Sequence, residues 1–300
     1  MQRLDSIEKK ELIEPVEGLA IEQFRTSDGY TFRYRRFVPL ASAKGHVVSV
    51  HGIQSHGGWY ENSCRLLSQA GFSICFLDRR GAGLNSEARG DAPSFRRLID
   101  DLAEFIKTEK GRISAASSSP LFLVAISWGG KLAVGLERRH PGLVDGMALL
   151  CPGFFPKVKL SLNQKLRIAW ARCVSPRRLF PIPLNDPELF TANPKWQKFI
   201  QEDELSLREA TARLLVESVR LDAYVRLTSV KCPVLLLLAE NDRIIDNART
   251  HRFVEKFDFP DKKIIEYAGA HHTLEFEPNP EAFLADLRSW LDDRARAIKK

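Results

Sequence analysis

The sequence predicts an α/β fold in which helices cover both faces of a mostly parallel sheet. Apolar runs with strand character alternate along the chain with segments of helical periodicity. The runs are residues 45–52, 72–78, 120–127, 144–153, 232–242 and 262–270. They are apolar on both faces, as is typical of buried parallel strands joined by right-handed crossovers. A content of 44% hydrophobic and 28% charged residues over 300 positions suits one large core, or a core with a subdomain.

The first predicted element is an antiparallel hairpin at the edge of the sheet. Polar and apolar residues alternate over 22–39, around the turn signal Ser27-Asp28-Gly29. The stretch 113–120, rich in serine and alanine, is expected to be a loop between a helix and a strand. Helices are expected near residues 59–70, 94–109, 128–139, 246–257 and 280–298.

The alternation of strands and helices stops between residues 154 and 229. This interval contains six prolines and no convincing strand, and it has amphipathic helical patterns near 161–173 and 206–226. A structureless loop of this length would be unusual inside a compact domain. We therefore predict a helical cap over 154–229, inserted into a core formed by 1–153 and 230–300.

Composition excludes several classes of protein. No window approaches the roughly 20 apolar residues of a membrane-spanning helix, and segment 1–15 has no apolar stretch behind its charges. A cytoplasmic protein is therefore expected. The net charge of +7 comes from scattered basic residues without interleaved aromatic residues, so nucleic acid is not an expected partner. The five cysteines are widely spaced and are expected to be reduced core residues.

Ser127 is the candidate nucleophile. It follows an apolar strand and precedes a helix, in the pattern Ala125-Ile126-Ser127-Trp128-Gly129. Such a small-x-Ser-x-Gly turn places the serine on a strained bend at the carboxyl end of the sheet, where open α/β folds bind ligands. By itself this serine could simply cap the helix; its partners decide between the two interpretations.

An aspartate and a histidine that could activate the serine follow later strands. Asp242 comes just after the run 232–242, and His271 and His272 come just after the next run. Serine, then acid, then histidine is the order typical of nucleophile-elbow hydrolases. Glu240 and Asp246 are alternative acids, but Asp246 is better placed to cap the next helix.

Backbone N–H groups near Ser127 could stabilise an oxyanion. One would come from Trp128, directly after the nucleophile, and the other from Ile53, in the loop after the first parallel strand. His51, Gly52 and His56 would support this loop. The two histidines could also be read as metal ligands, but no third ligand stands at a supporting spacing, so neither a metal nor a cofactor is expected.

The sequence resembles the monoacylglycerol lipase and lysophospholipase group of α/β-hydrolases over nearly its whole length. "HGIQSHGGWY" (51–60) is similar to their His-Gly-x-x-x-His-x-x-x-Tyr segment, and "DRRGAGLNS" (78–86) to their Asp-x-Arg-Gly-x-Gly turn. The resemblance implies the α/β-hydrolase fold with a cap. It implies Ser127, Asp242 and His272 as the catalytic triad, since Gly-Ala-x-His-x-Leu aligns with His272, and Ile53 and Trp128 as oxyanion donors.

Three residues depart from the family pattern. Ala125 replaces the first glycine of Gly-x-Ser-x-Gly, Trp128 stands where methionine is common, and Asn85 stands where serine is common. Trp128 could pack into the core or narrow the pocket, which bears on the acceptance of long acyl chains. Arg79 and Arg80 are expected to include one arginine that pins the Asp78 turn onto the loop of residues 51–60, which is called the oxyanion loop below.

The resemblance implies a serine hydrolase that cleaves single-chain lipid esters through an acyl-enzyme. The alternatives are a short-chain carboxylesterase, a thioesterase or acyltransferase that uses the same triad, or a non-catalytic binding module. The cap also mixes basic and apolar residues. Its basic face could be solvated only, or it could contact an anionic membrane surface while its apolar face lines an acyl pocket. The residues are Lys157, Lys159, Lys165, Arg167, Arg172, Arg177 and Arg178, among Leu160, Leu162, Leu166, Ile168, Trp170 and Phe180.

Overall fold

The computed structural model describes residues 19–114 and 119–298. The predictions for the N-terminal segment and for positions 115–118 of the serine-rich loop therefore lie outside the described residues. The strands are β1 Leu19–Arg25, β2 Thr31–Phe37, β3 Gly45–Val50, β4 Phe72–Leu77, β5 Leu121–Ile126, β6 Gly146–Leu150, β7 Leu179–Pro181, β8 Glu209–Thr211, β9 Val234–Ala239 and β10 Lys262–Tyr267. The helices are α1 Glu61–Gln69, α2 Phe95–Ser114, α3 Gly129–Arg139, α4 Leu162–Val174, α5 Pro194–Glu202, α6 Ala212–Arg226, α7 Asn247–Glu255 and α8 Glu281–Ile298.

An eight-stranded sheet forms the centre of the molecule, in the order β1-β2-β4-β3-β5-β6-β9-β10. From β4 to β10 all neighbours are parallel, whereas β1 pairs antiparallel with β2, and β2 with β4. The predicted α/β class is therefore confirmed. The predicted hairpin is present, with β1 at the sheet edge and β2 between β1 and β4.

Every residue of β4, β5, β6 and β9 is buried, which explains why these runs carry no polar alternation. The edge strand β10 is only partly buried, and it carries the polar residues Lys262, Lys263 and Glu266. Because β3, β5, β9 and β10 run in the same direction, the loops that follow them meet at one edge of the sheet. These loops contain all of the predicted site residues.

Residues 154–229 hold α4, α5 and α6 together with a small antiparallel pair, β7 and β8. The expectation of no strand in this interval was wrong. Each strand has three residues, too few for a period to be recognised, and their pairing joins segments about 30 residues apart, as in Phe180 with Ala210. The helix expected near 206–226 begins at Ala212, where the side chain of Thr211 caps it.

Helix α4 presents most of its apolar residues to solvent. Leu162, Leu166 and Trp170 are exposed to solvent, so the structure does not favour the alternative in which these three residues line an acyl pocket. Only a narrow face, which includes Ile168, is buried, together with Phe180. Among the described residues, none of the helices combines the length and the apolar character that crossing a membrane requires.

Candidate active site

Ser127 sits on a strained turn between β5 and α3, with a φ of +52°. This left-handed conformation is rare for a residue other than glycine and holds the side chain out from the sheet edge. The backbones around it are closely packed. A Cβ on Gly129 would lie 2.8 Å from the carbonyl oxygens of Val50 and His51, so the glycine after the serine is a steric requirement.

Ser127, His272 and Asp242 form a continuous hydrogen-bonded chain. The Oγ of Ser127 lies 2.9 Å from Nε2 of His272, and Nδ1 of His272 lies 2.6 Å from Oδ2 of Asp242. Asp242 is 1% exposed and His272 is 3% exposed. This geometry is that of a nucleophile, a base and an orienting acid.

The Asp242 carboxylate is fixed by backbone donors. Its Oδ1 accepts the N–H groups of Ile244 at 2.7 Å and of Ile245 at 2.9 Å, which leaves Oδ2 for the histidine. The competing acids are occupied elsewhere. Glu240 accepts the N–H of Gly269, and Asp246 caps α7 by accepting the N–H of Arg249.

The structure also separates the two adjacent histidines. His272 faces the serine, whereas Nδ1 of His271 lies 3.2 Å from a carboxylate oxygen of Glu277. The backbone N–H of His271 donates to the same carboxylate at 2.9 Å. His271 therefore helps to hold the loop and makes no contact with Ser127 in the described part of the chain.

The predicted oxyanion donors belong to two backbone segments next to Ser127, since Trp128 follows it in the chain and Gly52, which precedes Ile53, packs against its side chain. Within residues 19–114 and 119–298, the backbone N–H groups of Ile53 and Trp128 have no hydrogen-bond partner, so both are free to bind a ligand oxygen. Gly52 allows the loop to approach, since a Cβ there would lie 3.1 Å from Cβ of Ser127. Its N–H donates to Oγ of Ser55.

His51 and His56 each hold the oxyanion loop through both ring nitrogens. His51 donates from Nδ1 to the carbonyl of Gly52 at 2.8 Å and accepts the N–H of Arg79 at Nε2. Burial lowers the pKa of His51 to about 3, so its ring is neutral. His56 accepts the N–H of Gly58 at Nδ1 and donates from Nε2 to Asp203.

The turn at Asp78 ties several segments to this loop. Asp78 accepts a hydrogen bond from the N–H of Gly57 at 2.7 Å. It also forms an ion pair with Arg35 at 3.1 Å. Burial by itself would raise the pKa of Asp78, but Arg35, together with further groups such as the backbone N–H of Leu84, outweighs burial and lowers this pKa. Of the two candidate arginines, Arg79 contacts the oxyanion loop, whereas Arg80 binds Asp101 and Asp28.

Trp128 is 5% exposed and packs against neighbouring structure. Its Nε1 donates to Oγ of Ser218 on α6 at 2.8 Å, and the guanidinium of Arg79 lies 5.0 Å from the centre of its ring. The sequence left two placements of the Trp128 indole open, one packed into the core and one that narrows the pocket. The structure shows the packed placement. Ser218 was not predicted, because no local pattern marks a helix residue that meets the elbow from 90 positions away.

Three segments of the interval 154–229 reach the site. Asp203 accepts hydrogen bonds from His56 and from the indole of Trp59, and Leu207 donates its N–H to the carbonyl of Gln54. Phe190 lies edge-on to the ring of His272 with centroids 6.0 Å apart. An aromatic cluster continues from there through Trp59, Phe276, Trp196 and Phe199. None of these contacts was predicted.

Among the described residues, the one group of three potential metal ligands is Cys151, Asp242 and His272, whose ligand atoms lie within 4.8 Å of one another. Both nitrogens of His272 are already used in the hydrogen-bonded chain with Ser127 and Asp242. The donor set therefore suits proton transfer better than metal binding. Four of the five cysteines are buried, Cys173 is exposed, and all five have free thiols.

Comparisons with known proteins give a consistent result. A family model described as serine aminopeptidase S33 matches residues 41–279. The chain is 24% identical over 274 residues to a monoacylglycerol lipase of Mycolicibacterium smegmatis, covering 88% of this chain and 93% of the lipase. It is 23% identical over 251 residues to the phospholipase YtpA of Bacillus subtilis, covering 82% and 94%.

The crystal structure of a monoacylglycerol lipase from Paleococcus ferrophilus superimposes with a TM-score of 0.78 at 25% identity, covering 88% of this chain and 99% of that one. The chain also matches an uncharacterized abhydrolase domain-containing protein of Dictyostelium discoideum at 24% identity over 287 residues. This match covers 93% of this chain, and this chain spans only 30% of the length of that protein. Similarity therefore extends through the core and through the interval 154–229.

Proposed function

The chain belongs to the serine aminopeptidase S33 family, and from this premise we propose that it hydrolyses single-chain lipid esters, of the monoacylglycerol or lysophospholipid type, through an acyl-enzyme. The observation that carries the proposal is the chain from Ser127 Oγ to His272 Nε2 at 2.9 Å and on to Asp242 at 2.6 Å. Similarity to a monoacylglycerol lipase and a phospholipase supports a lipid ester as the substrate.

In the proposed mechanism, His272 takes the proton of Ser127 as the serine oxygen attacks the ester carbonyl. The proton then passes from His272 to the departing alcohol, which leaves an acyl-serine. Water gives a proton to His272 and attacks the acyl carbonyl, and the acid leaves as the proton returns to Ser127. The free N–H groups of Ile53 and Trp128 would bind the oxyanion in both steps.

We propose that residues 154–229 act as a cap that receives the acyl chain. The aromatic cluster between Phe190 and Phe276 supports this role, because it brings apolar rings of this interval into contact with the core next to His272. The hydrogen bonds of Asp203 and Leu207 to the oxyanion loop support a cap that is firmly attached to the core on that side.

Helix α4 supports a further part of the proposal, namely contact with an anionic membrane surface. Leu162, Leu166, Trp170 and Val174 repeat every four residues and are between 56% and 74% exposed, so they form one apolar stripe. The helix has no acidic residue, and Lys165 and Arg167 are exposed beside the stripe. Apolar side chains flanked by cations are typical of helices that lie in a membrane interface.

Vesicle sedimentation tests the membrane contact. We expect binding to vesicles with anionic lipid that exceeds binding to neutral vesicles, and its loss in Leu166→Glu. Leu227→Glu is the matched control, since Leu227 is exposed but lies at the far end of α6. Equal binding to the two kinds of vesicle would contradict the proposal.

Hydrolysis assays test the enzymatic proposal. Purified protein is compared with Ser127→Ala on monoacylglycerols, lysophospholipids and p-nitrophenyl esters from acetyl to oleoyl, with an acyl-CoA and an aminoacyl anilide beside them. We expect turnover of medium or long acyl esters that disappears in Ser127→Ala.

Other outcomes of these assays would indicate a different activity or a different nucleophile. Preference for acetyl or butyryl esters would indicate a small-ester esterase, and preference for acyl-CoA would indicate the thioesterase alternative. Release of the anilide alone would favour a peptidase. Undiminished activity in Ser127→Ala would refute the assignment of Ser127 as the nucleophile.

A further inference from the structure

Arg79 is a buried arginine to which no carboxylate of residues 19–114 and 119–298 binds. It is 5% exposed, and among the described residues its guanidinium donates only to backbone carbonyls, from Nε to Gly52 at 3.4 Å and from Nη2 to Ile53. Its Nη1 is buried and has no hydrogen-bond partner in the part of the chain that the structure describes. Burial lowers the pKa of Arg79 to about 10, which still leaves it charged at neutral pH.

The carbonyl of Gly52 belongs to the peptide unit that carries the N–H of Ile53. This unit is planar and trans, so its C=O and N–H point in opposite directions. Fixing the carbonyl therefore fixes the direction of the N–H. A cation at the carbonyl end also polarises the amide and strengthens the N–H as a donor.

Arg79 also touches the other side of the oxyanion hole. The guanidinium lies 5.0 Å from the ring centre of Trp128, the residue that carries the second N–H, and Ser218 holds the indole from α6. One side chain thus contacts the oxyanion loop after β3 and the nucleophile turn after β5. These two segments are far apart in the sequence, since one follows β3 and the other follows β5.

We propose that Arg79 is a positioning residue that sets the N–H groups of Ile53 and Trp128 in their relative positions and places a buried positive charge behind them. This role rests on the proposed hydrolase function. Catalysis depends on donors held at 2.7–3.1 Å from the developing oxyanion, and the loss of one donor costs about 10² to 10³ in kcat. Partial misplacement of two donors is expected to cost somewhat less.

The test compares Arg79→Met with Arg80→Met. Arg80 is the adjacent residue with the same exposed fraction of 5%, but its partners are Asp101 and Asp28 rather than the oxyanion loop. In Arg79→Met we expect kcat to fall by about tenfold to a hundredfold with KM nearly unchanged. A trifluoromethyl ketone, whose adduct carries the oxyanion, should lose affinity by the same factor as kcat/KM.

Two further readouts separate positioning from a merely structural role. Arg79→Lys, which keeps the charge, should recover part of the lost kcat. Hydrogen exchange of amides 51–60 should accelerate in Arg79→Met and not in Arg80→Met. If Arg79→Met does not fold, Arg79→Lys is judged by the same ketone affinity and exchange.

Unchanged kcat and exchange in Arg79→Met, or equal effects in the two methionine variants, would overturn the proposal. Failure of the hydrolase assignment gives a different result. In that case the unmodified protein turns over no ester, while exchange of amides 51–60 still decides whether Arg79 holds the loop.

Discussion

Asp203, at the end of α5, accepts a hydrogen bond from Nε2 of His56 in the oxyanion loop at 2.9 Å. The same carboxylate oxygen accepts the indole N–H of Trp59 and the hydroxyl of Ser206. Burial opposes the charge of Asp203, but the hydrogen bonds from His56 and Trp59 outweigh it and lower the pKa below 3.8. One acid therefore joins the interval 154–229 to the loop that precedes α1.

Asp203→Ala should destabilise the protein by about 2 to 4 kcal/mol, because it leaves several buried donors without an acceptor. Since the pKa of Asp203 is lowered in the folded state, its contribution is present above pH 3.8 and is lost as the pH falls. Urea denaturation at pH 7 measures the effect. Glu202→Ala, at an exposed neighbour, is the control, and an equal loss in both variants would contradict the prediction.

Asp242→Asn should lower kcat by roughly 10³ to 10⁴. The amide oxygen can still accept the N–H groups of Ile244 and Ile245, which turns the amide NH₂ toward Nδ1 of His272 and favours the wrong tautomer. Asp246→Asn is the matched control, because asparagine caps α7 as well as aspartate does. Comparable losses of kcat in the two variants would reopen the choice of acid.

Gly52→Ala should lower kcat by about tenfold to a hundredfold while the protein remains folded. The added methyl would lie 3.1 Å from Cβ of Ser127 and 3.2 Å from Oγ of Ser55, so the loop and the nucleophile must move apart. Gly111→Ala, on the exposed part of α2, adds a methyl that meets nothing within 4 Å. It should keep full activity, and steady-state kinetics on the preferred ester compares the two variants.

Glu275→Gln should change how stability depends on pH. Burial raises the pKa of Glu275 to about 7 from 4.5, although Ser63 donates two hydrogen bonds to it. The folded protein therefore holds a proton that the unfolded chain releases, and stability falls as the pH rises from about 4.5 to 7. Glutamine does not ionise, so the free energy of unfolding of the variant should not fall in this way. The difference should be roughly 3 kcal/mol above pH 7.

Urea denaturation at pH 5 and at pH 8 checks the Glu275 prediction. Glu275→Gln should match the unmodified protein at pH 5 and exceed it at pH 8. Glu281→Gln, at an exposed position at the start of α8, controls for the loss of a carboxylate. A difference between Glu275→Gln and the unmodified protein that does not vary with pH would argue against a buried neutral carboxyl.

The sequence by itself determined the α/β class, the six parallel strands and the positions of Ser127, Asp242 and His272 at strand ends. It could do so because burial on both faces of a strand, and the steric demand of a strained turn, leave local patterns. Gly129 is an example, since a Cβ there would meet the carbonyl oxygen of Val50 at 2.8 Å.

Only the tertiary structure decided what surrounds those residues. The contacts of Asp203 with His56, of Ser218 with Trp128, of Arg79 with Gly52 and Ile53, and of β7 with β8 join segments far apart in the chain. The exposure of Leu166 and Trp170 on α4 likewise depends on which face packs against α6. Hydrogen bonds and packing between distant segments follow no local period, because any polar side chain can find a partner once folding brings it near.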